Sequence, residues 1–450
     1  MSGLLLTRPL GTRLERGPET PNDLRAQFDL LAASGGAVSR SLLRPAPHEI
    51  WFSSTSAMAP SLYAHEAGLA TLARLMEREA AQAPNLSGWF DTLRARIATS
   101  FGAPDTTVLL APSIAASRDL ARAMAWSIHG EAPWELSTGA AESQDMALEE
   151  GAVDIALRLA DGRPREALAI DAAAVTAARH MGGPLLIHLL DQSLSGLSGV
   201  SRASAEAMAK DREALTLVDA SLMRAPPDRL RADLAAGRMV LISGSTFLGG
   251  HGASAALLVP PCLTARLRHA APDVYLLDAA LYDMAPEWRA LFCIEDAPRL
   301  NMGLGLRWSA ALAELDRYLR MPEALREAIL VLFVRKVRRR LSRCEWIEAI
   351  DEETGGGLTP LILHSASLEE ADGLRQALAA ASQKAGDTVC HLGAPIRLGD
   401  QIAALPISAS APMVSDVADR IAKGVTFEQA FAPIQRDIDT LFGKMGRIMG

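Results

Sequence analysis

Lysine is nearly absent from this sequence. Only five of the 450 residues are lysine, at positions 210, 336, 384, 423 and 444, and arginine carries the rest of the positive charge. The first 209 residues contain none. Because lysine is the side chain that forms imines with carbonyl compounds, this absence restricts such chemistry to a few positions from Lys210 onward.

Cysteine is equally rare. The four cysteines form no CxxC pair, which argues against a zinc site and against a disulfide framework. We therefore predict no metal and a reducing, cytoplasmic location. The cysteines are Cys262, Cys293, Cys344 and Cys390.

Long apolar runs and an excess of positive charge are also lacking. Leu4–Leu6 is too short for the core of a signal peptide, and Ile329–Val334 has the length of a core segment rather than a membrane span. The net charge of −8 gives no overall basic field for nucleic acid or anionic lipid. We expect a soluble protein that binds neither nucleic acid nor membrane.

What is present is typical of a folded protein with two domains. Hydrophobic residues make up 49% of the chain and charged residues 22%. We predict an N-terminal arm over residues 1–50, a large domain over 51–300 and a smaller C-terminal α+β domain over 301–450. Long helices are predicted in the last region, at Trp308–Leu319 and Glu323–Arg343, with weaker strand signals at Leu358–His364 and Ile402–Ser408.

Strands and helices are predicted to alternate through the large domain. This alternation indicates an α/β fold with a mostly parallel sheet that helices cover on both faces. The predicted strands are Thr107–Leu110, Val153–Leu157, Leu185–Leu190, Leu215–Val218, Met239–Ile242 and Ala255–Val259. The predicted helices are Ala115–Ile128, Glu166–His180, Ala203–Asp211 and Pro227–Ala236.

The loops after these strands hold the candidate site, because ligands on parallel sheets bind beyond the carboxyl ends of the strands. Asp219 ends one strand, and the next strand runs into the segment VLISGSTFLGG at 240–250. Four other segments accompany them: VLLAPSIAAS at 108–117, QSLSGL at 192–197, NMGLGLRW at 301–308 and CHLGAP at 390–395.

In this order, the segments resemble the core of class V aminotransferase-like enzymes, which depend on pyridoxal phosphate (PLP) and have fold type I. The resemblance spans roughly residues 50–420 and implies that fold. It implies that Asp219 contacts the pyridinium nitrogen of PLP and keeps it protonated. It also implies that Ser113, Ser243 and Ser245 lie at the phosphate, and that Arg224 keeps a family position.

The sequence departs from the family pattern at several positions. The position of the Schiff-base lysine is Thr246, whose hydroxyl cannot form an imine. The Gly-Thr of the phosphate cup is Ile114-Ala115, and a β-branched residue resists the close backbone approach that glycine permits. The resemblance also places Pro406 and Pro412 at two family arginines, one of which binds the substrate carboxylate, and Leu194 at a second family lysine.

Each retained residue also has a structural interpretation. Asp219 either holds a ligand nitrogen or caps a helix, and Arg224 pairs with Asp219, binds an anion or faces solvent. His251 is either a general base or ligand donor, or a hydrogen-bonded loop histidine. The serine pair, Ser243 and Ser245, is also common in tight turns.

Two functions remain open. The first is a non-catalytic pseudoenzyme that acts as a partner subunit or scaffold, either as a homodimer or as a heterodimer with an active, lysine-bearing relative. The second is a divergent enzyme that uses the old PLP cleft for lysine-independent chemistry on an amino-acid-like or other small metabolite. Its candidate residues are His251, Asp219 and Thr246. In both cases we expect no covalently bound cofactor, while non-covalent PLP or another small ligand stays open.

Overall fold

The structure is a computed structural model of the chain. It describes residues 44–81, 86–143, 151–267, 301–344, 363–365, 367–380, 388–399 and 402–449, and the single positions 146, 283, 285, 288 and 289. Most of the predicted arm, the first part of the strand predicted at Leu358–His364, Lys384 and Cys293 lie outside the described residues.

Strands and helices alternate through the first part of the chain and helices dominate its end. The strands are β1 (Ile50–Phe52), β2 (Thr107–Ala111), β3 (Trp134–Thr138), β4 (Val153–Ile155), β5 (Leu185–Leu190), β6 (Leu215–Asp219), β7 (Met239–Ser243), β8 (Ala255–Val259), β9 (Leu363–Ser365), β10 (Cys390–Leu392), β11 (Ile396–Gly399) and β12 (Ile402–Leu405). The helices are α1 (Leu62–Ala81), α2 (Leu86–Ser100), α3 (Ile114–His129), α4 (Ala167–His180), α5 (Arg202–Arg212), α6 (Pro227–Ala235), α7 (Pro261–Leu267), α8 (Met302–Leu319), α9 (Glu323–Leu341), α10 (Leu368–Ala379), α11 (Ala411–Ala422) and α12 (Phe427–Met449).

Seven strands form the large sheet, in the order β2-β8-β7-β6-β5-β3-β4. The pairs from β7 to β4 are parallel, and β8 runs antiparallel to both of its neighbours. The predicted α/β fold with a mostly parallel sheet is confirmed. Its carboxyl edge brings the loops after β2, β3, β5, β6 and β7 to one side of the molecule.

Two apolar layers hold this sheet. Every residue of β5, β6, β7 and β8 is buried, as expected for strands covered on both faces. Neighbouring residues point to opposite faces: Leu241 belongs to the core beneath α3, and Ile242 to the core on the other side. This burial fixes the register of β6 and β7, and therefore the relative position of their loops.

The other described strands form two smaller sheets. The sheet β11-β12-β9 is antiparallel, and β1 pairs in parallel with β10. β12 ends at Leu405, earlier than predicted, before Pro406, which has no backbone N–H to donate. α8 contacts the large sheet at β8, where the indole N–H of Trp308 donates to the carbonyl oxygen of Ala255 at 3.0 Å. No helix in the described ranges is long and apolar enough to cross a membrane.

Candidate functional site

The carboxyl edge of the large sheet brings the predicted residues Asp219 and Thr246 together. β6 ends at Asp219 and its parallel neighbour β7 ends at Ser243, so the loops that follow start side by side. In the loop after β7, Thr246 Oγ1 donates a hydrogen bond to the carbonyl oxygen of Ser221, 2.8 Å away in the loop after β6. Thr246 is fully buried, and its hydroxyl serves to join the two loops.

Asp219 is engaged by an arginine of the same chain. Arg118 Nη2 on α3 lies 2.5 Å from Asp219 Oδ2, and both side chains are only 6% exposed. The backbone N–H of Ser221 donates to Oδ1 at 3.0 Å, and the Ser143 hydroxyl lies 3.3 Å from Oδ2. Burial acts to raise the pKa of Asp219, but Arg118 and the hydrogen bonds from Ser221 outweigh it and hold the pKa below its ordinary value. Asp219 is therefore an ionised carboxylate with both oxygens occupied.

Sequence reasoning missed Arg118, although its position carried a signal. On a helix, residues three, four or seven apart share a face. Ile114, Ala121 and Ala125 have these spacings from Arg118 and are all buried. An arginine on the apolar face of a helix that starts at the candidate site indicates a buried partner, which here is Asp219.

The three predicted phosphate-contacting serines make local hydrogen bonds. Ser113 is the N-cap of α3, and its Oγ accepts from the backbone N–H of Ala116 at 3.0 Å. The hydroxyls of Ser243 and Ser245 lie 3.1 Å apart, and both side chains are buried. The contacts of Ser243 and Ser245 agree with the turn interpretation of that pair, and Ser113 has a capping role that was not predicted.

Arg224 neither pairs with Asp219 nor faces solvent, so those two interpretations were wrong. It is half-buried and donates to Ser54 Oγ and, at 3.3 Å, to the carbonyl oxygen of Ala409. Its guanidinium carbon lies 4.2 Å from the ring centroid of Phe247. The loop after β6 leads Arg224 away from Asp219 and toward the second half of the chain.

His251 is a buried, hydrogen-bonded loop histidine. Its Nε2 lies 3.1 Å from Nδ1 of His65 on α1. Burial, followed by the charges of His65 and Arg307, lowers the pKa of His251 to about 3. The imidazole is therefore neutral at physiological pH. No hydrogen bond among the described residues joins it to Asp219 or Thr246.

A second buried ion pair holds the QSLSGL loop. Arg158 Nε lies 2.7 Å from Glu142 Oε1, with both side chains no more than 4% exposed. Arg158 also donates to Ser195 Oγ at 2.8 Å, and Ser193 donates to Glu142 Oε2 at 3.2 Å. This network was not predictable from the sequence, because its residues come from three separate loops.

None of the four described lysines lies in a loop at the carboxyl edge of the large sheet. Lys210 is exposed at the end of α5, which leads to the amino end of β6, and pairs with Glu206 at 2.8 Å. Lys336 lies on α9 and Lys423 follows α11. Lys444 is buried on α12, where it donates to two carbonyl oxygens at 3.0 Å.

The residues at this edge do not fit PLP as they stand. The carboxylate that would hold the ring nitrogen is neutralised by Arg118. The hydroxyl at position 246 is directed to a backbone carbonyl oxygen, and no described lysine lies in these loops. Within the described residues, no group of three His, Cys, Asp or Glu side chains is placed to hold a metal ion.

Comparison with solved structures finds one fold repeatedly. The chain is similar to the cysteine desulfurase CsdA of Escherichia coli (15% identity, 95% of this chain and 98% of that chain covered, TM-score 0.55). It is also similar to a NifS-like protein of Rickettsia africae (12%, 89% and 99%, 0.58) and to the cystine C-S lyase C-DES (14%, 89% and 97%, 0.57). A variant of that lyase holds glycine covalently linked to its PLP cofactor.

No protein-family model and no curated protein matches the sequence. The similarity to these solved structures covers almost the whole length of each of them. The chain has the fold of class V-like, fold-type-I PLP-dependent enzymes.

Proposed function

We propose that this protein is a non-catalytic member of its fold, acting as a partner subunit or scaffold. The observation that carries the proposal is the buried Arg118–Asp219 ion pair. In a PLP enzyme of this fold, the aspartate is kept for the ring nitrogen of the cofactor. Here a guanidinium of the same chain takes that position, so the pocket supplies its own cation.

The ion pair is costly to open. Both residues are only 5% exposed. Separating Arg118 from Asp219 would therefore leave two uncompensated charges buried away from water, which costs free energy. A pyridinium ring would have to compensate that loss before it gained any affinity. Competition with Arg118 therefore works against non-covalent PLP as well as covalent PLP.

Other positions favour the same proposal. Thr246 provides no amine, and Pro406 provides no guanidinium for a substrate carboxylate. The start of α3 carries Ile114 in place of glycine, with only 4% of its surface exposed. The imine, the phosphate contact and the carboxylate contact are thus all absent at the positions that the resemblance assigns to them.

The first test is a visible absorbance spectrum of the purified protein with and without added PLP. We expect no internal-aldimine band. After borohydride reduction, peptide mass spectrometry is expected to find no lysine that carries more PLP than the lysines of a PLP-treated control protein. A PLP adduct at one lysine, together with an amino-acid-dependent spectral change lost when that lysine is replaced, would contradict the proposal.

The second test concerns the partner. Active sites of fold-type-I enzymes typically lie between two subunits, so we propose a homodimer, or a heterodimer with an active, lysine-bearing relative, with an interface above about 1,000 Å². Sizing chromatography with light scattering is expected to give twice the monomer mass, or a mixed dimer on co-expression. We also propose a reducing, cytoplasmic compartment, because the sequence has only four cysteines and no CxxC pair.

The second candidate is an enzyme with lysine-independent chemistry. The observation that favours it is a cleft of about 490 Å³ whose lining includes Ser61, Tyr63 and Arg317. Ser61 lies one helical turn before His65, which contacts His251. A volume of this size is ordinary for a small-molecule site. A strictly monomeric protein that carries a small molecule in native mass spectrometry would favour this enzyme over the silent partner.

A further inference from the structure

A separate cleft of about 290 Å³ lies between the loop after β6 and the α8–α9 corner. Its walls are mainly apolar, with Phe101, Met223, Phe247, Leu248, Leu315 and Leu330. Two arginines and two glutamates also line it: Arg224, Arg326, Glu323 and Glu327. Asp219, Arg118 and Thr246 are not among the residues that line it, so the cleft is distinct from the Asp219 site.

Arg224 is the charged group set into the apolar wall. Its hydrogen bonds go to two uncharged oxygens, Ser54 Oγ and the Ala409 carbonyl, and in the described part of the chain it forms no ion pair. Burial lowers the pKa of Arg224 to about 9, and the charge of Tyr318 opposes that shift. The guanidinium stays protonated at neutral pH, and no carboxylate of the described residues lies within ion-pair distance of it.

The charges at the rim limit which anion fits. Arg326 is half-buried, with its guanidinium carbon 4.8 Å from the ring centroid of Tyr318. Glu323 and Glu327 are exposed on the first turns of α9. Their negative charges repel a dianion such as phosphate more strongly than a monoanion held at the Arg224 guanidinium.

We propose that this cleft binds a small amphipathic monoanion, a carboxylate with a short apolar tail, as the counter-ion of Arg224. The carboxylate accepts hydrogen bonds from the guanidinium, while the tail lies against Phe247, Leu315 and Leu330. A cleft near the small end of the range for small-molecule sites, roughly 300 Å³, suits a chain of the length of octanoate rather than a membrane lipid. The proposal does not depend on whether the protein is catalytic.

Isothermal titration calorimetry of the full-length protein tests it, with octanoate, octanol, octylamine and inorganic phosphate as the probes. Octanoate is expected to bind with saturation and one site per chain. Octanol and octylamine should bind at least about tenfold more weakly because they lack the carboxylate that accepts charge-assisted hydrogen bonds, and phosphate at least about tenfold more weakly because it lacks the apolar tail. Equal binding of octanol or octylamine would overturn the role of the charge, and binding of phosphate alone would overturn the role of the apolar walls.

Variants separate this site from general hydrophobic binding. Arg224→Gln is expected to weaken octanoate binding by about tenfold or more, and Arg326→Gln by a few-fold. Arg335→Gln, on an exposed position of the same helix α9, is the matched control and should leave binding unchanged. Because Arg224→Gln also removes hydrogen bonds to Ser54 and Ala409, Ala225→Phe provides an independent variant that fills the cleft without changing charge. Octanoate binding retained in Ala225→Phe would refute the assignment.

Discussion

Replacing Asp219 by alanine is expected to destabilise the protein by about 3–5 kcal/mol, because the change leaves the Arg118 guanidinium buried and uncompensated. The hydrogen bonds from Ser221 and Ser143 would be lost with it. Chemical denaturation followed by circular dichroism gives the free energy of unfolding. In a protein that keeps this aspartate for a cofactor, the same replacement would lower the unfolding free energy of the ligand-free form far less.

The double variant Arg118→Met/Asp219→Ala is expected to regain most of that loss, since replacing a whole buried ion pair with apolar side chains is often neutral. Asp316→Ala is the matched control: it breaks a pair with Arg96 in which both side chains are 46% exposed, and should cost under about 1 kcal/mol. A loss in Asp219→Ala no larger than that of the control would mean that the ion pair does not form in solution.

Replacing Glu314 by glutamine is expected to stabilise the protein at pH 8 by up to about 3 kcal/mol and to have little effect at pH 5. Glu314 on α8 is fully buried, and burial raises its pKa to about 7 against the opposing effects of the Ser61 hydroxyl and Arg317. The unfolded chain releases this proton near pH 4.5, but the folded protein keeps it until about pH 7. The associated stability is therefore present at low pH and is lost as the pH rises through 7.

Urea titrations of both proteins across this range measure the difference in unfolding free energy. The variant keeps an amide oxygen to accept the hydrogen bond from Ser61. Glu66→Gln, which removes an exposed carboxylate from α1, is the control and should change the free energy of unfolding little at either pH. A gain in Glu314→Gln that does not vary with pH would show that the carboxyl of Glu314 is not the titrating group.

Strands dominated by apolar residues were predictable from the sequence, and a strand interrupted by polar residues was not. β5, LLIHLL, was identified at its observed bounds because five of its six residues are apolar. β3, WELST, was missed, since Glu135 and Ser137 interrupt the apolar pattern although both are buried. His188 Nε2 lies 2.7 Å from the Glu135 carboxylate. Burial acts to raise the pKa of Glu135, but the hydrogen bonds from His188 and Arg122 outweigh it and lower the pKa to about 2. Those partners are distant in the sequence, so local pattern does not reveal them.

The same limit applies to the candidate site. The ends of β6 and β7 follow from the apolar runs, so the proximity of Asp219 and Thr246 could be predicted. The partner of Asp219 could not, because Arg118 comes from a helix 101 positions earlier in the chain. Arg224, five residues after Asp219, was the nearer choice in sequence, but the turn through Met223, which has a φ of 54°, directs it elsewhere.

The Arg118–Asp219 pair has a consequence for how the folded state responds to its surroundings. A protein whose aspartate waits for a ligand gains stability in proportion to the logarithm of the ligand concentration, and loses it when the ligand is scarce. A guanidinium on α3 is present at a fixed ratio of one per site and cannot be diluted or depleted. The thermal midpoint of this protein should therefore be the same with and without added PLP, so that its abundance in cells would not follow cofactor supply.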